Sequence, residues 1–273
     1  MSERSSGIDE RAARRRFGRA AGSYASASKL EAEVAQRLAE RLDYVKLAPR
    51  RILDAGSGPA RDARALASRY PRADIIALDY ALGMLPRPGT LARIFGRGTL
   101  GVCADLTRLP LAPQSVELLW CNMALHWLND PLAAFREFER VLAPEGLVIF
   151  STLGPDTLKE LREAAGSSRV HAFTDMHDLG DMLVAAGLQA PVMEMELLSI
   201  AYARGAQLLA DLRASGQTNA RTDRARGLAG RALLQTWREA PLTATYEVVY
   251  GHAWKRAPSE PELKTVRVFK RFS

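Results

Sequence analysis

The sequence has few cysteines, and they are not spaced as a metal site or a redox pair would require. Cys103 and Cys121 are the two cysteines in 273 residues, and both lie in apolar runs typical of strands. They form no Cys-x-x-Cys pair and no cysteine–histidine ligand spacing, so the sequence gives no sign of a zinc site or of a disulfide framework. We therefore predict two buried, reduced thiols and no bound metal.

The sequence also lacks a long apolar run. No stretch reaches the roughly 20 residues that a membrane-spanning helix needs. Residues 1–16 are rich in charged side chains and contain no apolar segment of the kind that marks a signal peptide. We therefore expect a cytoplasmic protein with no membrane partner.

Aromatic residues make up only 7% of the chain, and they are not interleaved with its basic residues. The net charge is nevertheless +7, with arginine clusters in residues 4–19 and 221–231. A basic surface suits nucleic acid, an anionic membrane or an acidic protein, and charge alone does not choose among them. Surfaces that stack bases need aromatic side chains, so we expect no nucleic-acid partner. Solvated helix faces explain each cluster equally well.

From residue 50 onward, short apolar runs alternate with helical patterns. The predicted strands are residues 51–55, 74–79, 98–104, 116–121, 146–152, 192–200 and 243–255. The predicted helices after residue 50 are 61–69, 131–142, one that opens at Pro155, 174–186 and a polar segment over 204–239. Alternating strands and helices predict an α/β fold with a doubly wound, seven-stranded Rossmann-like sheet whose last strand is antiparallel.

Helical patterns also precede the sheet and interrupt its end. Residues 8–24 form one predicted helix, and Ser28 with Glu31 resembles a capping box that opens a second helix. We therefore predict an N-terminal helical cap over 1–48, a sheet domain over 49–256 with a helical lid insertion at about 202–240, and a tail over 257–273.

A glycine-rich turn follows the first predicted strand. It reads Asp54-Ala55-Gly56-Ser57-Gly58-Pro59-Ala60 and leads into a helix. Gly56 and Gly58 allow a tight turn and a close approach of ligand to backbone, and the helix that follows presents free N–H groups. Asp79 ends the second strand, where a carboxylate can accept hydrogen bonds from both hydroxyls of a ribose.

Two nucleotide cofactors could use this layout. A nicotinamide dinucleotide site prefers a third glycine at the position of Arg61, which is absent. S-adenosylmethionine (AdoMet) suits an acid at the start of the motif, Asp54, and another after the third strand. Asp105, followed by Leu106, supplies that second acid for the adenine amine. Three acids at three strand ends favour AdoMet, although Asp54 and Asp105 could simply cap turns, and Ala60 replaces a usual glycine.

Several segments resemble the malonyl-acyl-carrier-protein O-methyltransferase family of biotin synthesis. They are Phe17–Ala21 with Tyr24, Leu109–Leu111, Asn122–Trp127, Ser151–Arg162 and Ala244–Trp254. The resemblance spans about residues 15–256 and implies an AdoMet-dependent methyltransferase domain. Its expected reaction is transfer of the AdoMet methyl group to the free carboxylate of a malonyl thioester on acyl carrier protein, an acidic partner whose arm carries a phosphopantetheine phosphate.

The chemistry of this reaction, together with positions in the predicted fold, suggests roles for individual side chains. Tyr24, His126 and Trp127 are expected at the reacting groups, and Asn122 is expected at the cofactor. Phe17 is expected at the substrate side as an apolar anchor of the lid. The cations expected to bind the substrate carboxylate or the carrier are Arg162, Arg221 and Arg224.

Two alternatives remain at this stage. Leu125–Asp130 and Asp211–Arg213 also resemble an arginine-hydroxylating assembly factor of respiratory complex I. Ala60 in the glycine motif leaves open a third hypothesis, a non-catalytic module that binds AdoMet or a carrier protein. The sequence does not indicate an oligomeric state.

Overall fold

One seven-stranded sheet forms the centre of the fold. The computed structural model describes residues 7–86, 100–224 and 239–257. The strands are β1 (Arg51–Ala55), β2 (Asp74–Asp79), β3 (Leu100–Cys103), β4 (Val116–Asn122), β5 (Leu142–Leu153), β6 (Leu188–Tyr202) and β7 (Leu242–Lys255). Their order is β3-β2-β1-β4-β5-β7-β6, and β7 runs antiparallel to both of its neighbours. The predicted doubly wound sheet is confirmed.

Helices cover both faces of the sheet. They are α1 (Glu10–Ala27), α2 (Lys29–Arg41), α3 (Arg61–Arg69), α4 (Pro131–Val141), α5 (Lys159–Ala165), α6 (Met176–Ala185) and α7 (Gly205–Ala214). Successive residues of a strand point to opposite faces. Accordingly, Ile52 packs in a cluster with Leu38 of α2, whereas Leu53 packs in a second cluster with Phe138 of α4. Burying each such side chain stabilises the fold by about 1.5–3 kcal/mol.

The helix predicted to open at Pro155 begins four residues later, at Lys159. Residues 155–158 form turns, and Leu158 has a φ of +53°, which a helix cannot accommodate. Glu247 of β7 fixes this segment, since its carboxylate accepts a hydrogen bond from the Asp156 backbone N–H at 2.7 Å. The proline therefore lies in a turn that is tied to the sheet.

Two smaller predictions are wrong. The Ser28 side chain makes no capping hydrogen bond to α2, and its hydroxyl accepts a hydrogen bond from Arg61 instead. Cys103 is exposed, because β3 is the edge strand of the sheet, whereas Cys121 in the central strand β4 is buried as expected. In the part of the chain that the structure describes, no helix is long and apolar enough to cross a membrane. The cytoplasmic location stays a prediction.

The N-terminal helix and the segment after α7 contact each other. The helix predicted over 204–239 ends at Ala214, and residues 225–238 lie outside the described ranges, as does nearly all of the predicted tail. The Ser23 hydroxyl donates to the Ala214 carbonyl at 2.7 Å, and Asp9 pairs with Arg224 at 3.1 Å. The predicted cap and the described part of the predicted lid are thus held together, while the proposed division into these units stays a prediction.

Candidate active site

The loop after β1 forms one wall of a cavity at the carboxyl end of the sheet. Gly56 has a φ of +81° and Gly58 a φ of +50°, conformations that favour glycine. The backbone N–H groups of Gly56 and Ser57 both donate to the Leu78 carbonyl, at 2.7 and 2.9 Å. A Cβ atom on Gly56 would lie 2.4 Å from the Cβ of Ala124, so this loop cannot carry a side chain there.

Asp79, at the end of β2, holds the same loop in place. Its Oδ2 accepts a hydrogen bond from the Gly58 N–H at 2.9 Å, and its Oδ1 accepts one from the Ala81 N–H at 2.8 Å. Burial raises the pKa of the Asp79 carboxyl, and the two backbone donors partly offset that rise. Each carboxylate oxygen can accept further hydrogen bonds, so Asp79 can shape the loop and still bind a ligand.

Most of the predicted site residues come together around this cavity. Those that line it are Phe17, Tyr24, Gly56, Gly58, Asp79, Asp105, Leu106, Asn122 and Trp127. The Asp105 Oδ1 also accepts hydrogen bonds from the backbone and the hydroxyl of Thr107, both at 2.8 Å. Asp105 therefore caps a turn and lines the cavity at the same time.

Asp54 lies behind the glycine loop and does not line the cavity. It is 1% exposed, and its Oδ2 and the Ser57 hydroxyl are buried without a hydrogen-bond partner among the described residues. Burial raises the pKa of the Asp54 carboxyl well above its usual range, and the neighbouring Asp62 raises it further. Unsatisfied buried polar atoms are uncommon in native proteins, and here they lie beside a candidate ligand site.

Glu31 and Asp62 belong to this site, although neither was predicted to lie in it. Both line a small extension of the cavity. The Asp62 Oδ2 accepts hydrogen bonds from Asn122 Nδ2 at 2.9 Å and from Trp120 Nε1 at 3.1 Å. The Asn122 Oδ1 accepts one from the Ser151 hydroxyl at 2.6 Å. The amide of Asn122 is thereby fixed by protein groups on both sides. Asp62 could have been predicted from the sequence, because it is an acidic residue in the first turn of the helix that follows the glycine loop.

Tyr24 presents a phenol to the cavity. Burial raises its pKa well above the usual value, and the nearby carboxylates of Glu31 and Asp79 act in the same direction. Its hydroxyl therefore stays protonated at neutral pH. The Phe17 ring lies 6.4 Å from the Tyr24 ring and 4.9 Å from the Trp127 ring, measured between centroids. These three aromatic side chains cover one side of the cavity.

His126 does not line the cavity that Tyr24 lines, contrary to its expected place at the reacting groups. It lines a neighbouring cavity with His171 and Phe173, which we call the inner histidine cavity. Trp127 and Gln217 line both cavities. The reason is that residues 125–127 form a short 3-10 turn, which directs adjacent side chains to different sides.

The two histidines are neutral at pH 7, and we expect them to lower stability in acid. Burial lowers the pKa of His126 to about 3 and that of His171 to about 4. His171 Nε2 also accepts a hydrogen bond from the Ala220 N–H at 2.8 Å, which a protonated nitrogen could not do. Unfolded histidine has a pKa of about 6.5, so the unfolded chain binds protons first, and the free energy of unfolding falls as the pH drops from about 6.5 to 4.

Urea unfolding at pH 7 and pH 5 tests this expectation. The double variant His126→Gln/His171→Gln should lose less stability between the two pH values than the wild type does. The buried carboxyls with raised pKa act in the opposite direction, so the difference between variant and wild type isolates the histidines. Equal losses would contradict the assignment.

The arginines expected to bind substrate lie outside both cavities. The Arg162 guanidinium donates to the carbonyls of Pro155 and Thr157, at 2.8 and 3.2 Å, and so holds the turn before α5. Arg221 pairs with Asp223 at 2.8 Å. Arg224 lines a third, larger cavity near α1. The hydrogen bonds and the ion pair described above do not support direct binding of a substrate by Arg162 or Arg221, which stays a prediction.

Comparison with known proteins agrees with the predicted fold and family. A family described as "Methyltransferase domain" matches residues 53–150. A malonyl-[acyl-carrier protein] O-methyltransferase of Methylovorus sp. (strain MP688) is 49% identical over 265 residues, covering 91% of this chain and 90% of that protein. A protein of the same name from Gallionella capsiferriformans is 49% identical over 268 residues, covering 92% of each.

Solved structures of low sequence identity share the fold. The YcgJ protein of Bacillus subtilis superposes with a TM-score of 0.57 at 20% identity, covering 81% of this chain and 98% of its own. A phosphoethanolamine N-methyltransferase of Haemonchus contortus, solved with S-adenosylhomocysteine, gives a TM-score of 0.51 at 18% identity, covering 81% of this chain and 52% of its own.

Proposed function

The chain belongs to the malonyl-[acyl-carrier protein] O-methyltransferase family, and from this premise we propose that it methylates the free carboxylate of a malonyl thioester carried by acyl carrier protein, with AdoMet as the methyl donor. The main support for the proposal is the 49% sequence identity to the Methylovorus protein, which covers nine-tenths of both chains. A cavity at the carboxyl ends of β1, β2 and β4 provides a place for the cofactor. An early step of biotin synthesis is the metabolic place that this reaction implies.

The residues around the cavity fit AdoMet. We assign the ribose to Asp79, the adenine side to Asp105 and Leu106, and the amino-acid end to the glycine loop and its buried acids. The orphaned Asp54 Oδ2 supports this assignment, because a buried carboxylate without a partner is stabilised by a nearby cation. Ala60 does not narrow the cavity. It has a φ of +55° and packs in the apolar core beneath the loop, so its methyl group is accommodated.

The proposed reaction requires little chemistry from the protein beyond positioning. AdoMet supplies a methyl group on a positively charged sulfur. The acceptor carboxylate has an ordinary pKa of about 4 and is ionised at neutral pH, so no general base is needed. The chain must exclude water and align the acceptor with the methyl group, which lowers the barrier by pre-ordering the reactants. Phe17, Tyr24 and Trp127, which cover the cavity, are suited to both tasks.

Two other hypotheses follow from the sequence and have weaker support. An arginine-hydroxylating assembly factor is not favoured, because the extended identity is to O-methyltransferases. The hypothesis of a non-catalytic module depended on Ala60 crowding the cofactor. Because Ala60 packs in the apolar core, this hypothesis loses its support.

Mass spectrometry of the carrier protein tests the proposal directly. Incubation of the purified chain with AdoMet and malonyl-carrier protein should raise the mass of the acyl carrier by one methylene unit. The chain should also restore growth without biotin to a bacterial strain that lacks its own malonyl-carrier methyltransferase. A folded protein that binds AdoMet but gives neither result would contradict the proposal.

We expect Tyr24→Phe to lower kcat/KM for malonyl-carrier protein by about 10- to 100-fold, the worth of one hydrogen bond to a charged group. The protonated phenol lies in the cavity and is suited to donate to the acceptor carboxylate. Affinity for AdoMet and the melting temperature should change little, because the ring remains. Tyr44, which is 91% exposed, provides the matched control Tyr44→Phe. Unchanged kinetics for Tyr24→Phe would show that the Tyr24 hydroxyl does not bind the acceptor carboxylate.

A further inference from the structure

Arginine dominates the polar lining of the third cavity, which lies between α1, α5 and residues 209–224. We call it the arginine cavity. Its volume is about 790 Å³, within the usual range for ligand sites. The arginines that line it are Arg16, Arg19, Arg169, Arg213 and Arg224. Its apolar lining comprises Ala20, Leu161, Ala165, Leu209 and Leu212. No acidic side chain of the described residues lines it.

Three of these arginines have no counter-ion among the described residues. In the described part of the chain, no carboxylate or hydrogen-bond acceptor meets the guanidinium groups of Arg19, Arg169 and Arg213. Arg224 pairs with Asp9 at 3.1 Å. Arg16 donates to the carbonyl oxygens of Thr218, at 2.9 Å, and Asn219. Guanidinium groups gathered in one cavity repel each other, and an anion that enters relieves the repulsion.

Arg16 is the arginine of this cavity whose pKa is lowered. Burial lowers the pKa of its guanidinium, and the charge of Arg224 lowers it further. The two backbone carbonyls fix the Arg16 side chain without neutralising it. Protein groups thus hold Arg16 in place at this cavity, whereas Arg19 and Arg213 are exposed to solvent.

Shared lining residues connect the arginine cavity to the candidate active site. The arginine cavity and the inner histidine cavity have Leu161, Arg169, Leu212 and Asn219 in common. The inner histidine cavity and the cavity with Asp79 have Trp127 and Gln217 in common. The three cavities thus form a row that ends beside Tyr24.

We propose that the arginine cavity binds the phosphodiester of a phosphopantetheine arm, and that the arm passes through the inner histidine cavity to bring its acyl end to Trp127. This inference rests on the proposed function. The row matches the chemistry of such an arm, which has an anion at one end and an uncharged chain of amides and methylenes leading to the thioester. Neutral His126 and His171 suit the uncharged part, and arginine is the side chain best suited to phosphate oxygens.

The test compares two small substrates that differ only in the phosphate, malonyl-4′-phosphopantetheine and malonyl-pantetheine. Calorimetry should show that Arg19→Gln and Arg213→Gln each weaken binding of the phosphorylated compound by about 10-fold. Binding of malonyl-pantetheine should not change. The KM for malonyl-carrier protein should rise by a similar factor, with kcat and AdoMet affinity unaltered. Arg136→Gln on the exposed side of α4 is the matched control, and melting temperatures establish that each variant is folded.

Three outcomes would overturn the proposal. Equal weakening for both small compounds would assign the arginines to the malonyl carboxylate. Weakening for the carrier protein alone would assign them to its acidic surface. Unchanged binding of both small compounds and of the carrier protein would show that the substrate does not contact the arginine cavity.

Because calorimetry needs no turnover, the two proposals fail separately. Arginine-dependent binding without methyl transfer would contradict only the proposed function. Methyl transfer that the arginine variants leave unaltered would contradict only this inference.

Discussion

Asp79→Ala is expected to weaken AdoMet binding by about 100-fold, as measured by calorimetry. We assign the carboxylate of Asp79 to the ribose hydroxyls, and two hydrogen bonds to a charged group are together worth about 3 kcal/mol. The same carboxylate accepts hydrogen bonds from the backbone N–H groups of Gly58 and Ala81. Its loss should therefore remove the proposed ligand contact and also release the loop that lines the cavity.

Asp74→Ala is the matched control for this experiment. Asp74 is the first residue of β2 and Asp79 is the last, so Asp74 is exposed at the end of the strand that lies away from the cavity. This variant should bind AdoMet as the wild type does. Circular dichroism should show that both variants keep their secondary structure. Unchanged affinity in a folded Asp79→Ala variant would overturn the ribose assignment and place the cofactor elsewhere.

Local patterns in the sequence were sufficient to predict the sheet and the glycine-rich turn after its first strand. The strand over 74–79 and the helix over 61–69 have the predicted bounds. Apolar runs that are buried on both faces differ clearly from amphipathic helices. Gly56, Gly58 and Asp79 meet because a parallel sheet brings the carboxyl ends of its strands to one edge.

Features that depend on contacts between distant segments could not be predicted in the same way. Glu31 lies in α2, and its place beside the cavity follows from the packing of α2 on the sheet, where Gln217 donates to it. His126 and Trp127 are adjacent in sequence, but Trp127 also lines the cavity with Asp79, which His126 does not reach. The arginine cavity draws residues from α1, from α5 and the turn after it, and from residues 209–224, whose proximity no local pattern encodes.

Gly56→Ala is expected to reduce the free energy of unfolding by about 3 kcal/mol or more, as measured by urea unfolding. A φ of +81° costs an alanine about 1–2 kcal/mol. The new Cβ would also lie 2.4 Å from the Cβ of Ala124, a separation that folded proteins do not tolerate, so the loop or the turn at Ala124 must move. Because this loop lines the cavity to which we assign AdoMet, AdoMet affinity should fall together with stability.

A double variant separates the two causes of this loss. Gly56→Ala/Ala124→Gly removes the steric clash and keeps the backbone strain, so it should recover part of the stability and leave a deficit of about 1–2 kcal/mol. Gly22→Ala is the control of opposite sign, since Gly22 lies within α1 with no neighbouring atom within 4 Å of an added Cβ. It should stabilise the protein by about 0.5–1 kcal/mol. If Gly56→Ala were as stable as the wild type, the tight turn assigned to this loop would be wrong, and with it the cofactor wall that the turn forms.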